Sequence, residues 1–216
     1  MFKYEVVDLS HEINENMTVY MGSEKPKLEE VYTMKEHGFR ERKLAFFSHI
    51  GTHIDAPAHM MEDGKFLDDY EIDKFVGNAF IADFKDFKSE YIDIDDLKLY
   101  EDKLKTIDFF IINTNFYKDF SNDNYYLDFP TLTKEAANYL LDFGLKGIGI
   151  DTLSIDKLSS KDYCLHNIFL SSDVLIIENL NNLDLLENQI FTLNVLPLKL
   201  KKADGSPIRA IGIKNF

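Results

Sequence analysis

Residues 48–59 read Ser-His-Ile-Gly-Thr-His-Ile-Asp-Ala-Pro-Ala-His and hold three of the six histidines in the chain. Alternate positions carry His49, Gly51, His53, Asp55, Pro57 and His59, and the positions between them carry Ile50, Thr52, Ile54, Ala56 and Ala58. Successive side chains of an extended chain point to opposite faces, so one face would collect imidazole and carboxylate while the other stays small or apolar. A helix would also bring His49 and His53 together at i, i+4. Gly51, the β-branched residues and Pro57 oppose it, and Ala56, standing before proline, is pushed out of the α region. Extended chain is therefore expected. Buried imidazoles and carboxylates need partners, and a metal ion supplies them. Distance adds a further constraint. In a straight strand the Cα atoms of His49 and His53 would lie roughly 13 Å apart at about 3.3 Å per residue. A histidine reaches about 6–7 Å from its Cα, including a metal–nitrogen bond of about 2.1 Å, so two such reaches only just meet. The chain is expected to bend, with Gly51 as the residue that permits it. Asp55 can join His53 without strain.

Elements must bring other parts of the chain to this segment. Apolar and β-branched runs of strand length occur at 4–9, 42–47, 78–84, 108–114, 146–150, 173–178, 190–200 and 207–213. Helical periodicity is clearest at 133–143, where Thr133 can cap and Gly144 can stop the helix; weaker signals lie at 93–104 and around 166–170. Together these predict an α/β protein: a mixed sheet with a β-rich core and a few flanking helices. No repeat, low-complexity tract or Pro/Gly/Ser-rich linker divides the sequence, so residues 1–216 are read as one domain.

Composition excludes several functions. The 24 Lys and Arg against 38 Asp and Glu leave a formal charge of −14, which opposes binding to nucleic acid or to an anionic membrane surface. With 45% hydrophobic residues among 216, the chain can build a sizeable core. The single Cys164 leaves no internal disulfide, as suits a reducing cytosol, and no apolar stretch approaches the ~18 residues of a membrane span. A cytoplasmic location is expected.

The pattern His49-x-Gly51-Thr52-His53-x-Asp55-x-Pro57-x-His59 resembles the signature of the cyclase-like metal-dependent hydrolases, a family that includes bacterial kynurenine formamidases and isatin hydrolases. The resemblance extends to Asp8-Leu9-Ser10-His11, to the stretch from Gly149 to Asp156, to His166 through Leu180, to Leu196-Pro197-Leu198, and to the stretch from Asp204 to Ala210. It implies a swivelling β/β/α-like fold. It also implies that His49, His53 and Asp55 ligate metal, that His166 and Glu178 complete one or two sites, and that His59 is the general acid/base. The expected substrate is a small-molecule formamide or cyclic amide, with N-formyl-L-kynurenine first, an isatin-like lactam second, and a non-catalytic metal-binding protein as the reading from another class. The family further implies a homodimer or larger homo-oligomer. Met60 stands where the family usually has Phe, and the chain has no Trp, which bears on the pocket lining but not on the ligands.

The chemistry of the residues agrees with this resemblance. Imidazole with carboxylate suits Zn²⁺ or Mn²⁺, and without cysteine the set does not resemble a structural zinc site. Three histidines and two carboxylates exceed the three protein ligands usual for one catalytic zinc, which favours two ions bridged by carboxylate. Glu178 closes the apolar run from Val174 to Ile177, where a strand would deliver it to a sheet edge. Other candidates are weaker. Cys164 reads as a small buried thiol rather than a nucleophile. Asp151 and Asp156 read as fixing a turn after a strand rather than as an acid/base pair. His11 and His37 read as structural or surface. Tyr20, Phe46 and Phe47 are candidates for an aromatic pocket wall, set against a core that must absorb most of 18 Phe and 11 Tyr.

Overall fold

The continuous apolar runs become the middle of one large sheet. The computed structural model describes residues 4–122, 125 and 129–215. Its strands are β1 (Tyr4–Asp8), β2 (Lys27–Tyr32), β3 (Glu41–Ala45), β4 (His53–Asp55), β5 (Val76–Asp83), β6 (Tyr91–Ile92), β7 (Phe109–Asn113), β8 (Thr131–Leu132), β9 (Gly147–Ile150), β10 (Leu175–Glu178), β11 (Ile190–Asn194), β12 (Gly205–Pro207) and β13 (Ile211–Asn215). The helices are α1 (Met34–His37), α2 (Ile94–Lys98), α3 (Glu101–Leu104), α4 (Lys134–Leu141) and α5 (Cys164–Ser171). The main sheet runs β1-β13-β11-β5-β7-β9-β10-β4-β12. Strands β5, β7, β9 and β10 are mutually parallel, and every other pairing in this sheet is antiparallel. This is the mixed α/β architecture expected.

Parallel strands are covered on both faces, which is why Phe109, Phe110, Ile111 and Ile112 are all buried. Alternation sends them to two cores. Phe109 and Ile111 join Ile54, Ile81, Ile177 and Leu193 on the face around which the sheet curls. Phe110 and Ile112 join Ile148 and Ile176 under Leu97 of α2, Ala136 and Leu140 of α4, and Phe169 of α5. Thr133 caps α4 by accepting from the Ala136 N–H at 3.1 Å, and Gly144 follows in the left-handed region at φ +67°.

The structure departs from the expected elements where tertiary pairing decides. The run 93–104 divides into α2 and α3. The run 190–200 is a strand only through Asn194, with a single bridge from Pro197 to Ile208 beyond it, and 207–213 is replaced by β12 and β13, separated where Ile208 N–H turns aside to the Thr52 carbonyl at 3.0 Å. Strand β3 ends at Ala45 and, among the described residues, pairs only with β2, a strand not expected because nearly all its residues are exposed. Residues 48–59 are not one extended strand. Only His53–Asp55 pairs, Gly51 turns the chain at φ +58°, and Pro57–His59 forms a single 3₁₀ turn. Glu178 lies at the end of an interior strand between β9 and β4 rather than at a sheet edge. Among the described residues no helix is long and apolar enough to cross a membrane.

Candidate active site

Strand β4 lies between β10 and β12, and this pairing assembles the site. His53 sits directly opposite Glu178 in β10, and Asp55 directly opposite Gly205 in β12. Directly opposed residues of antiparallel strands share a face, so His53 Nε2 comes within 3.4 Å of both Glu178 Oε2 and Asp55 Oδ1. His49 returns over Asp55 through the bend at Gly51, placing its Nδ1 2.6 Å from Asp55 Oδ1. The first turn of α5 contributes His166, whose Nε2 is 3.4 Å from Glu178 Oε1 and 3.9 Å from Asp55 Oδ2. His59 enters from the 3₁₀ turn with its ring centroid 3.9 Å from that of His49 and 5.9 Å from that of His166.

All six residues proposed from the sequence therefore converge. Asp55, His53, His166 and Glu178 are buried, and His49 and His59 are partly so. Three sets of donor atoms each lie within 4.8 Å of one another, from His49, His53 and Asp55, from Asp55, His166 and Glu178, and from His49, His59 and Asp204; the first two share Asp55. Asp55 Oδ2 is buried without a hydrogen-bond partner. A buried, unsatisfied carboxylate oxygen is costly unless a cation meets it. These residues fit a metal ion.

Electrostatics follow from this crowding. Burial opposes ionisation of Asp55, but the imidazoles of His53 and His49 outweigh it and hold its carboxyl well below the usual carboxylate range. Burial depresses His49, yet Asp55 and Asp204 lift it to about 9; burial likewise depresses His166, which Asp156, Glu178 and Asp55 lift to about 10. His59 is shifted the other way. Burial lowers it, and the neighbouring His49 and His166 add to that against the pull of Asp55.

Two participants were missed in the sequence reading. Asp204 Oδ2 lies 3.0 Å from His49 Nε2 and 4.0 Å from His59 Nδ1. Asp156, read there as a turn residue, does accept from the Leu165 and His166 backbone N–H groups, and its Oδ2 is also 2.7 Å from His166 Nδ1. Asp151 fits its reading, accepting from Thr114 N–H and hydroxyl and from Tyr117 N–H. His11 stacks on Phe120 away from the histidine cluster. Tyr20 and Phe47 line the cavity above the cluster, whereas Phe46 does not line it and packs against the small core of Met17, Ile50 and Leu153. That cavity is about 480 Å³, within the range of small-molecule sites.

The model of the family described as Putative cyclase matches residues 7–157. The kynurenine formamidase of Bacillus cereus is 31% identical over 208 residues, covering 96% of either chain. The chain belongs to the cyclase-like metal-dependent hydrolase family. Solved structures extend the likeness beyond the matched segment. This family member superposes with a TM-score of 0.91 on an isatin hydrolase bound to the product analogue thioisatinate, at 21% identity over 99% of this chain and 94% of the other. It superposes with a TM-score of 0.82 on a potential metal-dependent hydrolase with cyclase activity, at 27% identity over 99% of both. The cyclase-like fold thus includes β10, β12 and α5, which lie beyond residue 157; β10 carries Glu178, α5 carries His166, and Asp204 stands immediately before β12.

Proposed function

We propose that the chain is a metal-dependent hydrolase that cleaves the C–N bond of a formamide, with N-formyl-L-kynurenine as the first substrate and small cyclic amides as the second class. The observation that carries this reading is the pair of donor sets sharing Asp55 at the base of an accessible cavity, with His59 beside them. The kynurenine formamidase relatives support the choice of substrate. His49, His53 and Asp55 would hold one ion, and Asp55, His166 and Glu178 a second, with Zn²⁺ the first choice and Mn²⁺ the alternative. When bound, the ion supplies Lewis acidity, polarising the amide carbonyl and lowering the pKa of water to about 7.

The chain's own residues do the rest. Asp55 and Glu178 supply the negative charge that makes a cation stable in a buried site. His59, held neutral by burial, takes a proton from the attacking water and returns it to the leaving nitrogen, so that amide and water become amine and formate. The mouth presents Phe47 and Tyr20 to an aromatic ring. Elemental analysis of the purified protein, followed by assay of N-formyl-L-kynurenine before and after chelation, tests the reading. Metal content with chelator-sensitive formate release is expected; a protein free of transition metal, or turnover untouched by chelation, would overturn it.

The enzyme is further inferred to work as a homodimer or larger assembly in the cytoplasm. Among the described residues, strands β2 and β3 pair only with each other, and α1 buries no residue. This arm exposes Val31, Tyr32, Met34, Phe39 and Leu44, and a lone two-stranded hairpin is marginal in water. Light scattering reporting a monomer would contradict the assembly.

A further inference from the structure

Among the described residues two histidines are buried, and they are oriented by different means. The ring of His166 is held by a side chain, Asp156, whereas that of His53 is held by the backbone: the Gly51 carbonyl oxygen lies 2.8 Å from its Nδ1. A carbonyl can only accept, so Nδ1 carries the hydrogen and Nε2 keeps its lone pair, which faces Glu178 and Asp55. An orienting carbonyl is only as fixed as its own peptide. Gly51 stands at φ +58°, and glycine has the widest conformational freedom of any residue. Another group must hold that peptide.

Asn179 is placed to do so. It follows Glu178 directly, is 2% exposed, and leads the chain out of β10 in the left-handed region at φ +56°. Its Nδ2 donates to the Gly51 carbonyl at 2.9 Å, and its Oδ1 lies 2.8 Å from the hydroxyl of the fully buried Tyr125, which fixes the rotation of the amide. Its backbone carbonyl accepts from the Thr52 hydroxyl at 2.6 Å. These bonds carry the β4–β10 association one step past the last paired residues, His53 and Glu178. We infer that Asn179 is a positioning residue for the metal centre: by clamping the Gly51 carbonyl it sets the rotation of the His53 ring and ties that ring to the neighbouring Glu178. One donor from each of the two sets that share Asp55 is thereby held in register. The inference rests on the metal site of the hydrolase reading above and is independent of its substrate.

The test separates this clamp from the left-handed bend that Asn179 also occupies. Asn179→Gly keeps the bend, since glycine adopts a positive φ without strain, and removes the amide. Tyr125→Phe keeps the amide and removes the hydroxyl that orients it. Zn²⁺ affinity is measured by competition with a chromophoric chelator, and the visible bands of the Co²⁺-loaded protein report ligand geometry; neither needs turnover. Asn179→Gly is expected to weaken Zn²⁺ binding about 10–100-fold, the range for lost partners of ligand histidines, and to shift the Co²⁺ bands. Tyr125→Phe is expected to shift the bands as well and to weaken binding about two- to tenfold, the scale of one hydrogen bond. The metal-free Asn179→Gly protein should unfold near the wild-type Tm, because the Gly51 carbonyl keeps His53 Nδ1 and the Tyr125 hydroxyl keeps the Asp151 carbonyl at 2.8 Å. Co²⁺ bands identical to wild type in Asn179→Gly, or in Tyr125→Phe if that variant alone folds, would overturn the clamp and leave the hydrolase reading standing. A wild-type protein that binds neither ion would sink the metal site of that reading, and the clamp with it.

Discussion

Asp156 grips His166 twice, through the backbone N–H at 3.0 Å and through ring Nδ1 at 2.7 Å. One carboxylate therefore fixes both the start of α5 and the rotation of the imidazole, leaving Nε2 directed at Glu178 and Asp55. Carboxylate partners of this kind orient ligand histidines, and their loss costs about 10–100-fold in metal affinity. Asp156→Ala should weaken metal binding on that scale in competition with a chromophoric chelator, and Asp156→Asn, which can still accept from Nδ1–H, should weaken it less. Equal affinity in wild type and Asp156→Ala would remove Asp156 from this role.

His59 lies outside the two donor sets that share Asp55 and inside a third with His49 and Asp204, so turnover and metal content are read separately. Replacing His59 with alanine should lower kcat by about 10²–10⁴, the range for a positioned acid/base, while the metal-to-protein ratio by elemental analysis stays at the wild-type value. Retained turnover, or lost metal, would contradict the assignment.

Proton release should accompany metal uptake. In the metal-free protein the carboxylates around His49 and His166 outweigh burial and lift them to about 9 and 10, so both rings carry a proton at pH 7. An imidazole must shed that proton to ligate. Zn²⁺ titrated at pH 7 in two buffers of different ionisation enthalpy should therefore reveal about two protons expelled, with affinity weakening as pH falls. Because both values lie above the ordinary 6.5, these rings stabilise the metal-free fold fully below that pH and lose the contribution as pH rises through 9 to 10. Buffer-independent heats would refute the account.

Gly205 lies opposite Asp55 in β12, and a Cβ there would fall inside the van der Waals shell of the His49 ring. Gly205→Ala should therefore cost about 1–3 kcal/mol in thermal or urea unfolding, as other overpacking substitutions do, and should displace His49. Reduced metal content alongside a lowered Tm is the expected pair of results.

The legible part of the site was the part contiguous in sequence. His49 through His59 announced themselves because three imidazoles and a carboxylate share eleven residues, and Gly51 bends the chain as distance required. Asp204 was invisible because it reaches His49 only through the β12–β4 pairing, and strand order depends on long-range contacts that no local pattern encodes. Asp156 was read as fixing a turn after its strand, whereas its carboxylate holds the start of α5 and the His166 ring, contacts nine and ten residues on that the local sequence does not encode. Strand β4 shows the limit most clearly. At three residues it is too short for periodicity to register, and its existence is dictated by β10 and β12 on either side.

The direct opposition of His53 and Glu178 across β4 and β10 also governs how this gene can change. A strand displaced by one residue sends every side chain to the other face, so a single-codon insertion or deletion within either strand would turn one of the pair away from the other. An insertion of this kind would spare every ligand in the sequence and still abolish the site. Length variation is expected to be tolerated in the exposed arm formed by β2, α1 and β3, and forbidden in seven residues at the heart of the sheet, His53–Asp55 and Leu175–Glu178.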